Sequence, residues 1–337
     1  GSFKYIFRQI IDIFNCMGAI ITLSILALVV LYLGLFKMKS MLLPVSILGF
    51  LVAIGFLWND WTSTSGPLYS GMVHFDHFAI AFSILCIAVT LCIFVISKGY
   101  FDEEGQIAEY YSLLIFSLTG AVLVNSYHNF SMLFLGIEIM SVALYILVGI
   151  RKRDKTSNEA ALKYFLMGAF STGFLLFGIA LLYGATGSFD LSEIKDYVVN
   201  NPQAISPLFY GGILLLIVGL TFKVGAVPFH FWTPDVYDGA PILITSYMST
   251  VVKVASFAGL LRLFSYSLLP LQDFWTPVFL VIAILTLFVG NISALMQSSF
   301  KRMLAYSSVS HAGYMLFAIV AVGATSANSI FAYGLAY

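Results

Sequence analysis

Apolar residues run for roughly 18 to 25 positions at a time along this chain before a short polar stretch interrupts them. The windows fall near 16–36, 41–58, 76–97, 110–126, 129–150, 160–184, 207–232, 240–264, 274–296 and 303–323, and an eleventh begins near Asn328 and is cut off at Tyr337. A helix of about 20 residues crosses the roughly 30 Å hydrocarbon core of a bilayer. Period-two alternation with regular turn signals, the mark of a membrane β-barrel, is absent. The pattern predicts an all-α polytopic membrane protein with 1–337 as a single transmembrane domain. Connections as short as Ser126-Tyr-His-Asn129 make neighbouring helices antiparallel in a bundle.

Composition supports this reading. Hydrophobic residues make up 60% of the chain and charged residues 9%, where a soluble domain carries about 25% charged. The 16 basic and 16 acidic side chains cancel, so no nucleic-acid surface is expected and the lipid bilayer is the chain's surroundings. Cys16, Cys86 and Cys92 lie in apolar runs with no paired spacing and no histidine cluster. That pattern indicates neither a disulfide framework nor a metal site and leaves a packing role. No small-residue cleavage motif follows the first apolar run, so a cleavable signal peptide is not expected. Nine Lys and Arg fall in loops after odd-numbered helices, with Arg151, Lys152 and Arg153 chief among them, against four on the other side: Lys4, Arg8, Lys195 and Arg262. By the positive-inside rule the odd-numbered loops face the cytoplasm and the N-terminus is periplasmic.

The remaining basic residues, Lys163, Lys223 and Lys253, lie inside apolar spans, and Glu138 is the one carboxylate comparably deep. Burial disfavours the charged form of either group and a close opposite charge restores it, so three amines facing one acid leave a surplus. At least one amine is expected where its proton can come and go. Lys223 lies about 24 Å along a helix starting near Pro207, far from either end for snorkelling. Pro228 lacks an amide donor and clashes with the carbonyl four residues back, at Val224, so the helix should kink or break one turn after the lysine. Charge beside a break at membrane depth reads as an ion site. A lysine reaching lipid headgroups from a tilted helix is the competing reading.

Glu138 falls mid-span with Ser131, Ser141 and Tyr145 at i−7, i+3 and i+7, a polar stripe expected to face the bundle. Lys253 is the most central charge, with Ser246, Ser249, Thr250 and Ser256 at i−7, i−4, i−3 and i+3. Both fit either a proton pathway or an ion pair that only holds helices together. Lys163 begins its helix four residues after Glu159, where snorkelling competes with a relay role. His230, seven residues after Lys223, would stand two turns on along a straight helix and could relay a proton. His311 shares a face with Ser307 and Tyr314, and both histidines read equally well as packing residues. His74, His77 and His128 lie near helix ends and read as interfacial. No phosphate-binding loop, dinucleotide fingerprint or ligand set for haem or an iron–sulfur cluster occurs, so redox chemistry is not expected from this chain's side chains.

The segment from Glu159 to Gly187, opening Glu159-Ala-Ala-Leu-Lys-Tyr-Phe-Leu-Met-Gly168, resembles the sixth helix of NADH-quinone oxidoreductase subunit N, the bacterial counterpart of mitochondrial subunit 2 of respiratory complex I. Lys223-Val-Gly-Ala-Val-Pro-Phe-His-Phe-Trp-Thr-Pro-Asp-Val-Tyr-Asp-Gly-Ala-Pro241 resembles that family's broken seventh helix and exit loop, and Phe300-Lys-Arg-Met-Leu-Ala-Tyr-Ser-Ser-Val-Ser-His-Ala-Gly-Tyr314 its tenth-helix region. These motifs are shared with other antiporter-like subunits. The Leu135-Gly-Ile-Glu138 and Lys163-Tyr-Phe-Leu166 contexts point to subunit N among them.

The resemblance implies an antiporter-like bundle of fourteen helices with two inverted five-helix repeats, each holding one broken helix. About 10 to 11 helices are present here: the first three in 16–97, the first repeat in 110–264, and the start of the second in 274–337. It further implies that Glu138, Lys223 and Lys253 match the family's fifth-, seventh- and eighth-helix charged residues and transfer protons, with Lys163 and His230 as candidate relays. The chain would then be a non-redox, proton-translocating subunit in the bacterial inner membrane. Lys223 would be the exchangeable carrier and Glu138 the carboxylate whose distance sets its proton affinity. No cofactor is expected in the chain itself; NAD, FMN, iron–sulfur clusters and quinone are expected in the other membrane and peripheral subunits of complex I. The sequence stops inside the eleventh helix, short of the second broken helix, so a longer parent polypeptide is expected. The alternative is a subunit of a multisubunit cation/proton antiporter using the same lysines with no redox partner. A membrane scaffold with inert ion pairs is the third reading.

Overall fold

The computed structural model of the chain describes residues 17–62, 68, 71–100, 107–202, 204–323 and 325–337; Lys4, Arg8 and Cys16 lie outside them. It divides into two compact units, Gly1–Leu147 and Val148–Tyr337. Among the described residues ten helices are long and apolar enough to cross a membrane, one for each complete window in the sequence. The chain is an all-helical, multi-pass membrane protein.

The first unit holds α1 (Gly18–Leu35), α2 (Lys39–Thr62), α3 (His77–Ile96), α4 (Ile107–Ser126) and all but the last residue of α5 (Phe130–Val148). At its centre α4 is buried along nearly its whole length and packs on α1 and α3. Helices immersed in lipid gain no hydrophobic drive against one another, so polar ties between them count for more. Ser112 Oγ donates to the Ala27 carbonyl at 2.9 Å and Ser117 Oγ to that of Met140 at 3.2 Å, while the hydroxyls of Ser97 and Tyr111 lie 2.6 Å apart. Cys86 is buried in this packing, but Cys92 is exposed. Six residues along the same helix turn it off the packed face, so the packing role expected of all three cysteines fails at Cys92.

The second unit carries α6 (Lys155–Thr186), α7 (Leu191–Asn200), α8 (Pro207–Val224), α9 (Trp232–Gly239), α10 (Ile242–Ser267), α11 (Gln272–Leu295), α12 (Phe300–Val320) and α13 (Ser326–Ala336). Side chains of Asp154, Asp190, Ser206 and Ser299 accept a backbone amide at the starts of α6, α7, α8 and α12. Pro207 opens α8, where a missing N–H costs no helical bond. Hydropathy windows miss α7 because Glu193, Lys195 and Asp196 interrupt it. Its buried Leu191, Ile194 and Val198, at i, i+3 and i+7, are the signal that marks it. α6 packs on α8 and α11 on α12. Two turns of α10, Met248–Val252 and Leu263–Ser267, are π-helical. The single window at 207–232 is two helices, α8 and α9, joined through residues 225–231.

Candidate functional site

Lys223 lies in the last turn of α8 and is 5% exposed. The helix stops one residue later. Gly225 adopts φ 73° and ψ 34°, in the left-handed region, and its N–H donates to the Phe222 carbonyl at 3.0 Å while that of Ala226 donates to Thr221, also at 3.0 Å. This closure is the glycine C-terminal motif. Any Cβ at Gly225 would also stand 2.8 Å from Thr233 Oγ1. The break therefore comes earlier than expected, at Gly225 and not a turn beyond the lysine, and Pro228 sits in the connecting stretch behind a cis peptide bond with Val227. Lys223 thus occupies the carboxyl end of a helix, where the backbone dipole stabilises a cation by up to about 2 kcal/mol in partly buried sites.

Two further bonds tie backbone groups at the break into the unit. Trp232 Nε1 donates to the Phe222 carbonyl at 3.0 Å, and the Val227 N–H donates to Thr286 Oγ1 at 3.0 Å. Irregular backbone at membrane depth needs such partners. His230 is buried within the connection, but no straight helix runs from Lys223 to it, so the two-turn register expected between them does not exist. His230 Nδ1 and Thr233 Oγ1 are buried with no hydrogen-bond partner among the described residues.

Lys253 is 2% exposed and begins the regular part of α10 after the first π-helical turn. The hydroxyls expected around it are used elsewhere: Ser249 and Thr250 donate to the Ser246 carbonyl at 3.1 and 2.6 Å, and Ser256 to that of Val252 at 2.7 Å. Lys253 Nζ donates instead across the helix interface to the carbonyl and hydroxyl oxygens of Ser308 on α12. It also stands 5.8 Å from the centre of the Tyr337 ring. One turn beyond Ser308, His311 Nδ1 is 2.6 Å from the Tyr333 hydroxyl, with its ring 4.7 Å from that of Tyr337. The sequence pattern aligned His311 with Ser307 and Tyr314. It missed Ser308 because the adjacent Ser307-Ser308 pair gives no sign of which hydroxyl faces another helix.

Lys163 is not a buried amine: its side chain is 38% exposed and pairs with Glu159 at 2.7 Å and with Asp235 at 2.7 Å. The other Asp235 oxygen accepts from Arg302 at 2.8 Å. These groups, with Asp238, line a cavity of about 320 Å³. Burial works to raise the Asp235 pKa, but hydrogen bonds from Lys163 and Arg302 outweigh it and hold the carboxyl below the usual carboxylate range. The sequence pattern singled out neither Asp235, Asp238 nor Arg302 as a site residue; the fold gathers them.

Glu138 belongs to the first unit. It lies midway along α5 and is half-buried, on the stripe it shares with Ser141 and Tyr145. The Ser141 hydroxyl donates to the Ile137 carbonyl at 2.6 Å, and the buried Tyr145 phenol is within electrostatic reach of Glu138. Among the described residues no group of three or more His, Cys, Asp or Glu side chains is arranged to hold a metal ion.

A family model described as NADH:quinone oxidoreductase/Mrp antiporter, TM matches residues 127–337. NADH-quinone oxidoreductase subunit N of Flavobacterium psychrophilum is 41% identical over 323 residues, covering 95% of this chain and 70% of the relative. The subunit of the same name from Cytophaga hutchinsonii is 40% identical, covering 95% and 69%. A chain of respiratory complex I from Thermus thermophilus, solved with bound aureothin, superposes with a TM-score of 0.78 at 32% identity over 94% of this chain and 67% of that one. A chain of the Mrp complex from Dietzia sp. DQ12-45-1b gives a TM-score of 0.81 at 17% identity over 95% and 61%, a likeness of fold. With a buried lysine at a broken helix, a second buried lysine on the next span, and this identity along most of its length, the chain belongs to the NADH-quinone oxidoreductase subunit N family of antiporter-like membrane subunits.

Proposed function

We propose that the chain translocates protons as a membrane subunit of a respiratory NADH:quinone oxidoreductase, driven by quinone reduction in partner subunits that hold NAD, FMN, iron–sulfur clusters and quinone. The observation that carries this reading is Lys223, an amine 5% exposed in the last turn of a membrane helix that ends one residue later. Such a group is costly to bury charged, so its proton is worth exchanging when its surroundings change. Lys223 is the carrier, Lys253 passes protons along the unit through the hydroxyl of Ser308, and Glu138 is the carboxylate of the set. Lys163 and His230 are relays at either side of α9. The membrane is the bacterial inner membrane, with the N-terminus periplasmic and Arg151–Arg153 cytoplasmic, a reading supported by the bias of Lys and Arg toward cytoplasmic loops.

The test uses inverted vesicles containing the complete complex, fuelled with NADH. Lys223→Ala is expected to abolish most proton pumping and slow NADH oxidation while the complex remains assembled. Unchanged pumping and oxidation in an assembled complex would make the lysine structural. The antiporter alternative rests on the likeness of fold to the Mrp chain; copurification of flavin and iron–sulfur subunits with this chain decides against it.

A further inference from the structure

Helix α9 spans eight residues, Trp232–Gly239, too few to hold its own shape alone in water. Its neighbours hold it at three places. At its start Trp232 stacks on Tyr164 of α6, ring centres 4.8 Å apart, and donates to the Phe222 carbonyl, the residue before Lys223. At its end Lys301 donates to the carbonyls of Asp238 and Ala240 at 2.6 and 2.7 Å, and Gly239 lies so close to α6 that a Cβ would stand 2.6 Å from that of Ala160. In the middle Asp235 uses one oxygen for Lys163 of α6 and the other for Arg302 of α12.

We propose that Asp235 is a positioning residue of the pump: its carboxylate ties the far half of the broken helix to α6 and α12, and through Trp232 and Phe222 fixes the turn that carries Lys223. This rests on the proton-translocating reading given above. An isolated exposed ion pair contributes under about 1 kcal/mol. Here one carboxylate joins three helices, each oxygen has its own cation, and the cavity beside it gives water access to all of them. The charged groups facing Asp235 are Lys163 and Glu159 from α6, Arg302 and Lys301 from α12, and Asp238 from its own helix. Tyr306 lies beside Arg302, and Arg151 and Asp154 beside Lys301.

Because Lys163 and Arg302 keep Asp235 ionised, the tie holds across the working pH range. Its contribution is complete above the ordinary carboxylate pKa of about 3.9 and is lost only as pH falls through the lowered native value. Removing Arg302 leaves burial less opposed, so Asp235 protonates at higher pH.

The experiment measures NADH-driven pumping against pH in vesicles of the complete complex, with assembly checked by native electrophoresis. Asp235→Asn is expected to lower pumping several-fold and Asp235→Glu to restore most of it. Arg302→Gln is expected to lower pumping several-fold with the pH profile keeping its shape, Arg302→Lys to restore most of it, and Asp235→Asn combined with Arg302→Gln to lose no more than Asp235→Asn alone. Full pumping by Asp235→Asn, or losses from the two substitutions that simply add, overturns the proposal. Lys223→Ala run alongside separates the two readings: if it still pumps, the carrier assignment has failed, and if only the Asp235 and Arg302 variants behave as wild type, the positioning role alone has failed.

Discussion

Lys223 and Lys253 are both buried amines, yet the protein holds them by different means. Lys253 donates to the carbonyl and hydroxyl of Ser308, a fixed polar seat on another helix. Lys223 sits at the carboxyl end of α8, so its surroundings depend on how that end is closed. Gly225 is what closes it. Alanine there would have to take a left-handed conformation costing about 1–2 kcal/mol and would press its Cβ on Thr233 Oγ1. Gly225→Ala is therefore expected to cut pumping in an assembled complex, with Lys223 itself untouched. Wild-type pumping in that variant would mean that the helix end need not be where it is. The lysines were legible in the sequence because a charge inside an apolar run is a one-dimensional signal. Ser308 and Asp235 were not, since their importance arises only when other helices bring a cation to them.

At the scale of elements, hydropathy located each of the ten spans among the described residues, because bilayer thickness sets a minimum length for all of them. It could not see where a span is irregular. Pro228 announced a break in the seventh window, but Gly225 ends the helix first, since a left-handed cap closes α8 before the proline ring meets the Val224 carbonyl. In the same way no residue type announces the π-helical turn Met248–Val252 that precedes Lys253. Such a turn holds one residue more than an α-turn, so it shifts the phase of everything after it by about 100°. The serines and threonines spaced around Lys253 donate instead to carbonyls of their own helix, at Ser246 and Val252. Deleting Val251 removes the extra residue together with the wide turn, so the two phase changes cancel and Lys253 is expected to keep its place against Ser308, with pumping retained in an assembled complex. A loss as deep as that of Lys253→Ala would show that the π-helical turn is itself required.

At the scale of the second unit, three charged sites stand out. The second unit places a half-exposed ionic cluster at Asp235, a buried lysine at the break in α8, and a second buried lysine on α10, and one helix touches two of these sites. Near its start α12 supplies Lys301 and Arg302 to α9; farther along it supplies Ser308 to Lys253 and His311 to Tyr333. Arg302 and His311 are nine residues apart, about 14 Å along the axis. α12 is one continuous helix packed on α11, so a rigid displacement of it would carry both ends together. Arg302→Gln and Ser308→Ala are expected to give pumping losses that fail to add when combined, and strict additivity would show the ends to be uncoupled. One helix thus gives both lysine sites the same mechanical coordinate: a slide or tilt of α12 would change the hold on the far half of the broken helix and the seat of Lys253 in a single stroke.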